Sequence, residues 1–192
     1  EGSLSRKEEE GIFRKMDGVG QHEVIVESPQ HNVCIPLMPD KQVEEIILAY
    51  RERYLALRED PRFKVIIIFK NHGAKAGTSL EHPHSQLVAM PIVPLTIRYR
   101  FEKAAGHFDD EGTCVYCDLL REGLNLRTRL VLETDRFAAF HPFASRAPFE
   151  TWILPKAHDA SFGSISIDEA KEFAYVLKKK LGKLYRGVNN PD

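Results

Sequence analysis

His82-Pro83-His84-Ser85-Gln86 places two imidazoles two residues apart and a carboxamide two residues further on. In an extended segment, side chains at i, i+2 and i+4 line one face, so His82, His84 and Gln86 are expected to point the same way. Pro83 fixes its own φ and stiffens the pair. Upstream, Lys64 to Phe69 is β-branched and reads as a central strand, followed by the small-residue loop Asn71-His72-Gly73-Ala74-Lys75-Ala76-Gly77-Thr78-Ser79. Such a loop can turn backbone N–H groups toward an anion. A phosphate-cradling loop beside paired histidines points to phosphorus chemistry with a histidine nucleophile.

Working outward, residues 1–20 are charged and read as a loop, and Glu23-Val24-Ile25-Val26-Glu27 reads as a strand stopped by Ser28-Pro29. Asp40 is placed to cap a helix running to about Arg58, with apolar residues at Val43, Ile46, Ile47, Tyr50, Tyr54 and Leu57. Gln86 to Met90 is expected to carry the histidine motif into a sheet. Residues 95–107 read as helix and Asp109-Asp110-Glu111-Gly112 as a polar loop.

The pattern then recurs. Leu130-Val131-Leu132 and Phe137-Ala138-Ala139-Phe140 read as a hairpin-like pair of strands, and Glu150-Thr151-Trp152-Ile153-Leu154 precedes Pro155 and His158 as Glu23 to Glu27 precede Pro29 and His31. Ser166-Ile167-Asp168-Glu169 is a capping box opening a helix to about Arg186. This predicts two copies of one α+β unit. The counterpart of His82 in the second copy would fall past Asp192, and the counterpart of Cys114-Val115-Tyr116-Cys117 in the first would fall before Glu1. The chain is therefore expected to hold the later part of one unit, residues 1–108, and the earlier part of the next, residues 109–192.

The 192 residues carry a formal net charge of -1, with 43% apolar and 29% charged residues, ordinary for a globular protein and without a global field to favour nucleic acid or an anionic membrane. No apolar run approaches the roughly 20 residues that span a bilayer. The run Lys178-Lys179-Lys180 reads as a solvated helix face. Three cysteines do not make a secreted disulfide scaffold, so a cytoplasmic, reducing location is expected. Cys34, alone among apolar neighbours, reads as a small buried hydrophobe. Cys114 and Cys117 form a CxxC pair, which with distant histidines suggests structural zinc in a four-ligand site. A redox dithiol and reduced cysteines without a ligand role are the competing readings.

The segment Asn71-x-Gly73-Ala74-x-x-Gly77-x-Ser79-x-x-His82-Pro83-His84-x-Gln86, with Glu27-Ser28-Pro29-Gln30-His31 upstream and the CxxC through Pro155-Lys156-Ala157-His158 downstream, resembles the galactose-1-phosphate uridylyltransferase family, the transferase branch of the histidine-triad superfamily. The resemblance implies two histidine-triad-like repeats, each an antiparallel sheet with a long helix packed on it. It implies a homodimer in carbohydrate metabolism acting on a nucleotide sugar and a sugar phosphate. It also implies one zinc site using His31 and His82, with iron an alternative metal, and a second using Cys114, Cys117 and His158. His107 and His141 are rival ligands for the second site, and the repeat pattern favours His158.

The chemistry that the resemblance implies is transfer of a nucleoside monophosphate between a nucleotide sugar and a hexose 1-phosphate. His84 attacks the α-phosphorus to give a nucleotidyl-histidine, its other ring nitrogen held by the His82 carbonyl. Gln86 occupies the place of a third histidine in the hydrolase branch. A glutamine cannot titrate but can donate to a phosphoryl oxygen, which suits transfer between phosphates. Asn71, Gly77, Thr78 and Ser79 are expected to bind the other phosphoryl oxygens. The sugar-uridylyl enzymes usually have Gly where this chain has Ser85, and a serine there with a second CxxC unit looks more like the ADP-glucose phosphorylase-like members. A phosphorylase acting on ADP-glucose or a dinucleoside polyphosphate is therefore the alternative, and a zinc-binding module that kept the fold but lost catalysis is a third reading.

Overall fold

The structure is a computed structural model and describes residues 2–8, 11–78 and 80–189. Two three-stranded antiparallel sheets dominate it. The first combines β3 (Gln21–Val26), β4 (Val65–Phe69) and β5 (His84–Met90) in the order β3-β5-β4. The second runs β6 (Leu130–Glu133), β7 (Phe137–Phe140) and β8 (Trp152–Pro155) in sequence order. The N-terminal segment expected to be a loop carries a small ladder, β1 (Lys7–Glu8) on β2 (Arg14–Lys15). Four helices complete the fold: α1 (Asp40–Arg58), α2 (Leu95–Glu111), α3 (Val115–Leu126) and α4 (Ile167–Gly187).

Each sheet carries a long helix. Val43, Ile46, Ile47 and Tyr50 of α1 recur at helical spacing and form a core with Ile35, Met38 and with Ala170 and Ala174 of α4. A bidentate pair, Arg53 Nε and Nη2 on the Glu23 carboxylate at 2.8 and 2.7 Å, fastens α1 to β3. In the second sheet, Phe137 and Ala139 face Val176 of α4, while Ala138 and Phe140 face Leu120 of α3. All four residues of β7 are therefore buried, two on each side. The capping box at the start of α4 is formed: Ser166 Oγ accepts from the Glu169 N–H at 3.2 Å, and the Glu169 carboxylate accepts from the Ser166 N–H at 2.8 Å.

Four expectations are corrected. Lys64–Phe69 is not the central strand: β5 pairs on both sides, and β4 lies at an edge of the described sheet, its apolar residues only partly buried. Asp40 is the first residue of α1, not its cap; Pro39 holds the cap position, and the Asp40 carboxylate accepts instead from Lys178 Nζ of α4. Asp109, Asp110 and Glu111 are the last turn of α2, which ends at Gly112 in the left-handed region at φ 72°. The lysine run is not one solvated face, because consecutive helical positions point in different directions. Lys178 reaches Asp40, Lys180 is 6% exposed on the face that buries Val176, and only Lys179 is exposed. Burial pushes the Lys180 ammonium pKa down.

Candidate functional site

Strand alternation splits β5 into two faces. Ser85, Leu87 and Ala89 are fully buried toward α1, and His84, Gln86 and Val88 lie on the opposite face. Val24 and Val26 of β3, which pair with Gln86 and His84, are 52% and 62% exposed, so that face is open. His82 precedes the strand in a bend.

His84 is 9% exposed, and its Nδ1–H donates to the His82 carbonyl at 2.7 Å. That bond fixes the tautomer and leaves Nε2 with the lone pair. His82 turns elsewhere: its Nε2–H donates to the Ser28 carbonyl at 2.6 Å, and its ring meets that of His31 edge-on, with centroids 4.5 Å apart. A metal-ligating imidazole commonly donates its second N–H to a carbonyl, and this arrangement leaves His82 Nδ1 as the available ligand atom. Gln86 has a partner that the motif does not contain. His22 Nε2 donates to Gln86 Oε1 at 3.0 Å, diagonally across the β3–β5 ladder, which leaves the carboxamide NH2 to donate.

The small-residue loop is folded on itself. It contains a 3-10 turn, Ala74–Ala76, closed by Gly77 at φ 84°, and the Asn71 amide nitrogen lies 3.8 Å from where a Cβ on Gly77 would sit. The N–H groups of Ala76, Gly77 and Thr78 donate to the carbonyls of Gly73 and Ala74, at 3.0 to 3.3 Å. In this conformation those three donors are spent within the loop. Thr78 Oγ1, by contrast, is a buried oxygen without a hydrogen-bond partner among the described residues. Ser79 lies outside the described residues.

The second constellation sits at the start of α3. Cys114 occupies the cap position and Cys117 the first turn; both are half-buried. The ligand atoms of Cys114, Cys117 and His158 all lie within 4.8 Å of one another, with Cys117 Sγ 3.2 Å from His158 Nδ1. The N–H groups of Cys117 and Tyr116 pull the Cys114 thiol pKa down, which favours the thiolate that a soft metal takes. Partial burial and the neighbouring Cys114 push Cys117 up. His107 is engaged with Asp118 at 2.9 Å, and His141 Nδ1 donates to the Glu150 carbonyl at 2.7 Å, so the structure brings His158, and neither rival, to the cysteines. Cys34 is half-buried at the start of a 3-10 turn, and burial pushes its thiol up.

The residues that sequence reading missed lie under the motif. Glu27, whose side chain is fully buried, accepts from Lys70 Nζ at 2.7 Å, from Tyr50 Oη at 3.1 Å and from the Ser85 hydroxyl; Tyr50 and Ser85 also touch. Lys70 donates in addition to the His84 carbonyl at 3.1 Å. Burial, with the Glu27 charge alongside, pushes the Tyr50 phenol pKa up. Lys70, charged directly after an apolar strand, was one hint, and Glu27 and Ser85 stood in the segments that carry the resemblance.

Residues 3–94 match the family model for the N-terminal domain of galactose-1-phosphate uridyl transferase. The chain is 32% identical over 187 residues to ADP-glucose phosphorylase of Arabidopsis thaliana, covering 97% of this chain and 52% of that protein. It is 38% identical over 171 residues to galactose-1-phosphate uridylyltransferase of Thermotoga maritima, covering 88% and 53%. It thus spans about half the length of these curated relatives. A solved uridylyltransferase superposes with a TM-score of 0.87 at 28% identity, covering 95% of this chain and 57% of that one. The Arabidopsis thaliana ADP-glucose phosphorylase with bound ADP-glucose does so with a TM-score of 0.85 at 31% identity, covering 92% and 56%.

Proposed function

Since the chain belongs to the galactose-1-phosphate uridylyltransferase family, we propose that it carries the nucleophile of a nucleotidyltransferase that moves a nucleoside monophosphate between a nucleotide sugar and a hexose 1-phosphate. The observation that carries the reading is the locked His84 ring, with Nδ1–H on the His82 carbonyl and Nε2 without a hydrogen-bond partner among the described residues, on the sheet face where Val24 and Val26 are exposed.

The Nε2 lone pair attacks the α-phosphorus of the nucleotide sugar. The bond from that phosphorus to the bridging oxygen breaks, and the sugar 1-phosphate leaves with the electron pair. A phosphate oxygen of the acceptor then attacks the same phosphorus and expels His84. The sugar 1-phosphate is a weak base, and the Nε2-phosphorylated ring, still carrying Nδ1–H, is cationic and leaves as neutral imidazole, so neither departure calls for a general acid. Gln86 suits this: held by His22 at its oxygen, it presents NH2 hydrogens to a phosphoryl oxygen in both steps. Thr78 Oγ1, buried and without a partner among the described residues, is a second candidate donor, with Asn71 packed against Gly77 in the same loop.

Cys114, Cys117 and His158 fit a zinc ion, which would tie the start of α3 to the segment after β8 and take no part in the transfer. His31 and His82, whose rings meet edge-on, would supply two of the ligands of a second structural ion, zinc or iron, beside the motif. We place the protein in the cytoplasm as a homodimer in carbohydrate metabolism. Among the described residues no helix is long and apolar enough to cross a membrane.

A phosphorylase is the second reading, favoured by the buried Ser85 hydroxyl and by the likeness to ADP-glucose phosphorylase. Initial rates of the full-length protein with UDP-glucose or ADP-glucose as donor, and galactose 1-phosphate or inorganic phosphate as acceptor, decide between them. Parallel double-reciprocal lines with galactose 1-phosphate support the transferase. Turnover with inorganic phosphate alone replaces it with the phosphorylase, and no turnover with any pair rejects both.

A further inference from the structure

Glu27 and Ser28 touch His82, Pro83 and Ser85 directly and reach His84 through Lys70. The Ser28 carbonyl accepts from the His82 ring, and the Glu27 N–H donates to the Pro83 carbonyl at 3.0 Å. The Glu27 carboxylate holds Lys70, which donates to the His84 carbonyl, and it accepts the Ser85 hydroxyl directly. Glu27 is itself fixed: Gln42 of α1 donates to its carbonyl at 3.0 Å, and Tyr50 of α1 donates to its carboxylate. Its side chain is fully buried and that of Lys70 is 20% exposed, so the pair works in a medium of low polarity, where such contacts are strong and their loss is costly.

We propose that Glu27 is the positioning residue of the nucleophile: a buried carboxylate that holds the backbone of residues 82–85 so that the His84 ring stays locked with Nδ1–H on the His82 carbonyl and Nε2 free. The lock depends on where the His82 carbonyl points, since a hydrogen bond weakens steeply with misalignment. Removing the carboxylate frees Lys70 from the His84 carbonyl and strips the Ser85 and Tyr50 hydroxyls of their shared acceptor. The peptide groups around His84 then lose their lateral ties, and the ring can exchange Nδ1–H for Nε2–H, the tautomer with no lone pair at the attacking atom. Ser85 belongs to the same device, because its hydroxyl is the direct tie between the carboxylate and the motif strand.

The inference rests on the reading of His84 as the nucleophile, but its test does not require turnover. The full-length protein is labelled with 15N-histidine, and the His84 ring signals are identified by their loss in His84→Gln. Wild type is expected to show the Nδ1–H tautomer. Glu27→Met fills the same space without an acceptor and is expected to bring up the Nε2–H form. Glu27→Gln, which can place its oxygen toward Lys70 and its NH2 toward the two hydroxyls, is expected to keep the wild-type signature. In a turnover assay Glu27→Met should lose about 10- to 100-fold in kcat with KM within about threefold, the pattern of a misplaced nucleophile. A folded Glu27→Met protein with the wild-type His84 tautomer overturns the proposal. Where Glu27→Met does not fold, Lys70→Met and Ser85→Gly replace it, and an unchanged tautomer in both overturns it equally. A shifted tautomer in a protein whose wild type transfers no nucleotide supports the positioning role and rejects the function proposed above.

Discussion

Among the described residues the first sheet is covered on one face, and the second on both. β5 buries Ser85, Leu87 and Ala89 against α1 and leaves His84 and Gln86 on a face where Val24 and Val26 stand in the open. β7 buries all four residues, Phe137 and Ala139 under α4 and Ala138 and Phe140 under α3. Two antiparallel units of similar build therefore differ in what they can do. A bare face beside a fixed histidine can take a substrate, while a sheet packed on both sides has no room for one. The histidines differ in the same sense. His84 is buried, locked by one bond and tied at its carbonyl to a buried polar network through Lys70; His158 is exposed and meets two thiols at a helix start. The first site is built to present an atom, the second to be tied together.

If that contrast holds, damage to the two sites separates. His84→Ala should abolish nucleotidyl transfer outright while leaving the fold intact, and His84→Gly should recover part of it with added imidazole; both are read in the same turnover assay with circular dichroism as control. Substantial activity in His84→Ala without imidazole would erase the distinction.

The second site should fail in the opposite way. Cys114→Ser with Cys117→Ser is expected to lose one metal equivalent per chain and to lower the melting temperature, with the transfer chemistry of the remaining folded protein retained. Structural zinc contributes on the order of 10 kcal/mol in small domains, and the surrounding core of α3, α4 and the second sheet should soften that loss here. Unchanged metal content in the double variant removes the site.

Gln86→Ala sharpens the comparison within the first site. Loss of one hydrogen bond to a charged phosphoryl group costs about 1.5–3 kcal/mol, or roughly 10- to 200-fold in rate. His22→Ala should reproduce a fraction of that effect by freeing the carboxamide to rotate, and Gln86→His should add an ionisation to the pH–rate profile that the wild type lacks at this position. Equal rates in Gln86→Ala and wild type would show that the residue does not reach the reacting phosphate.

The smallest effect belongs to the second unit's helix. Ser166→Ala removes half of a capping box and should cost about 1 kcal/mol of stability, measured by urea denaturation, with no change in transfer. A change in kcat there would mean that the two units are coupled through α1 and α4, which share a core.

What the sequence revealed follows from range. The strand from His84, the capping box at Ser166 and the spacing of apolar residues in α1 are local patterns, and each formed where its period or motif placed it; His82 does not share the face of His84 and Gln86, because it precedes the strand in a bend and its ring turns to Ser28 and His31. The CxxC pair was local, and its union with His158 rested on the repeated pattern. His22 reaches Gln86 only through the register of β3 on β5, and Tyr50 reaches Ser85 only through the packing of α1 beneath the sheet. Neither register nor packing depth is written in a single sequence. The misread turn at 109–111 has a simple cause: three acidic residues suggest a solvated loop, but an exposed last helical turn accommodates them until Gly112 ends it. The misplaced centre of the first sheet has another: the apolar run of β4 reads as a buried strand, and only pairing shows that β5 lies between its neighbours.

The central claim is that His84 Nε2 becomes bonded to phosphorus. Full-length protein incubated with UDP-glucose or ADP-glucose in the absence of acceptor, then digested at alkaline pH, should yield one peptide heavier by a nucleoside monophosphate residue, with the added mass on His84 and lost on brief acid treatment. An adduct on another residue, or complete turnover with no adduct while His84→Ala remains active, would contradict it.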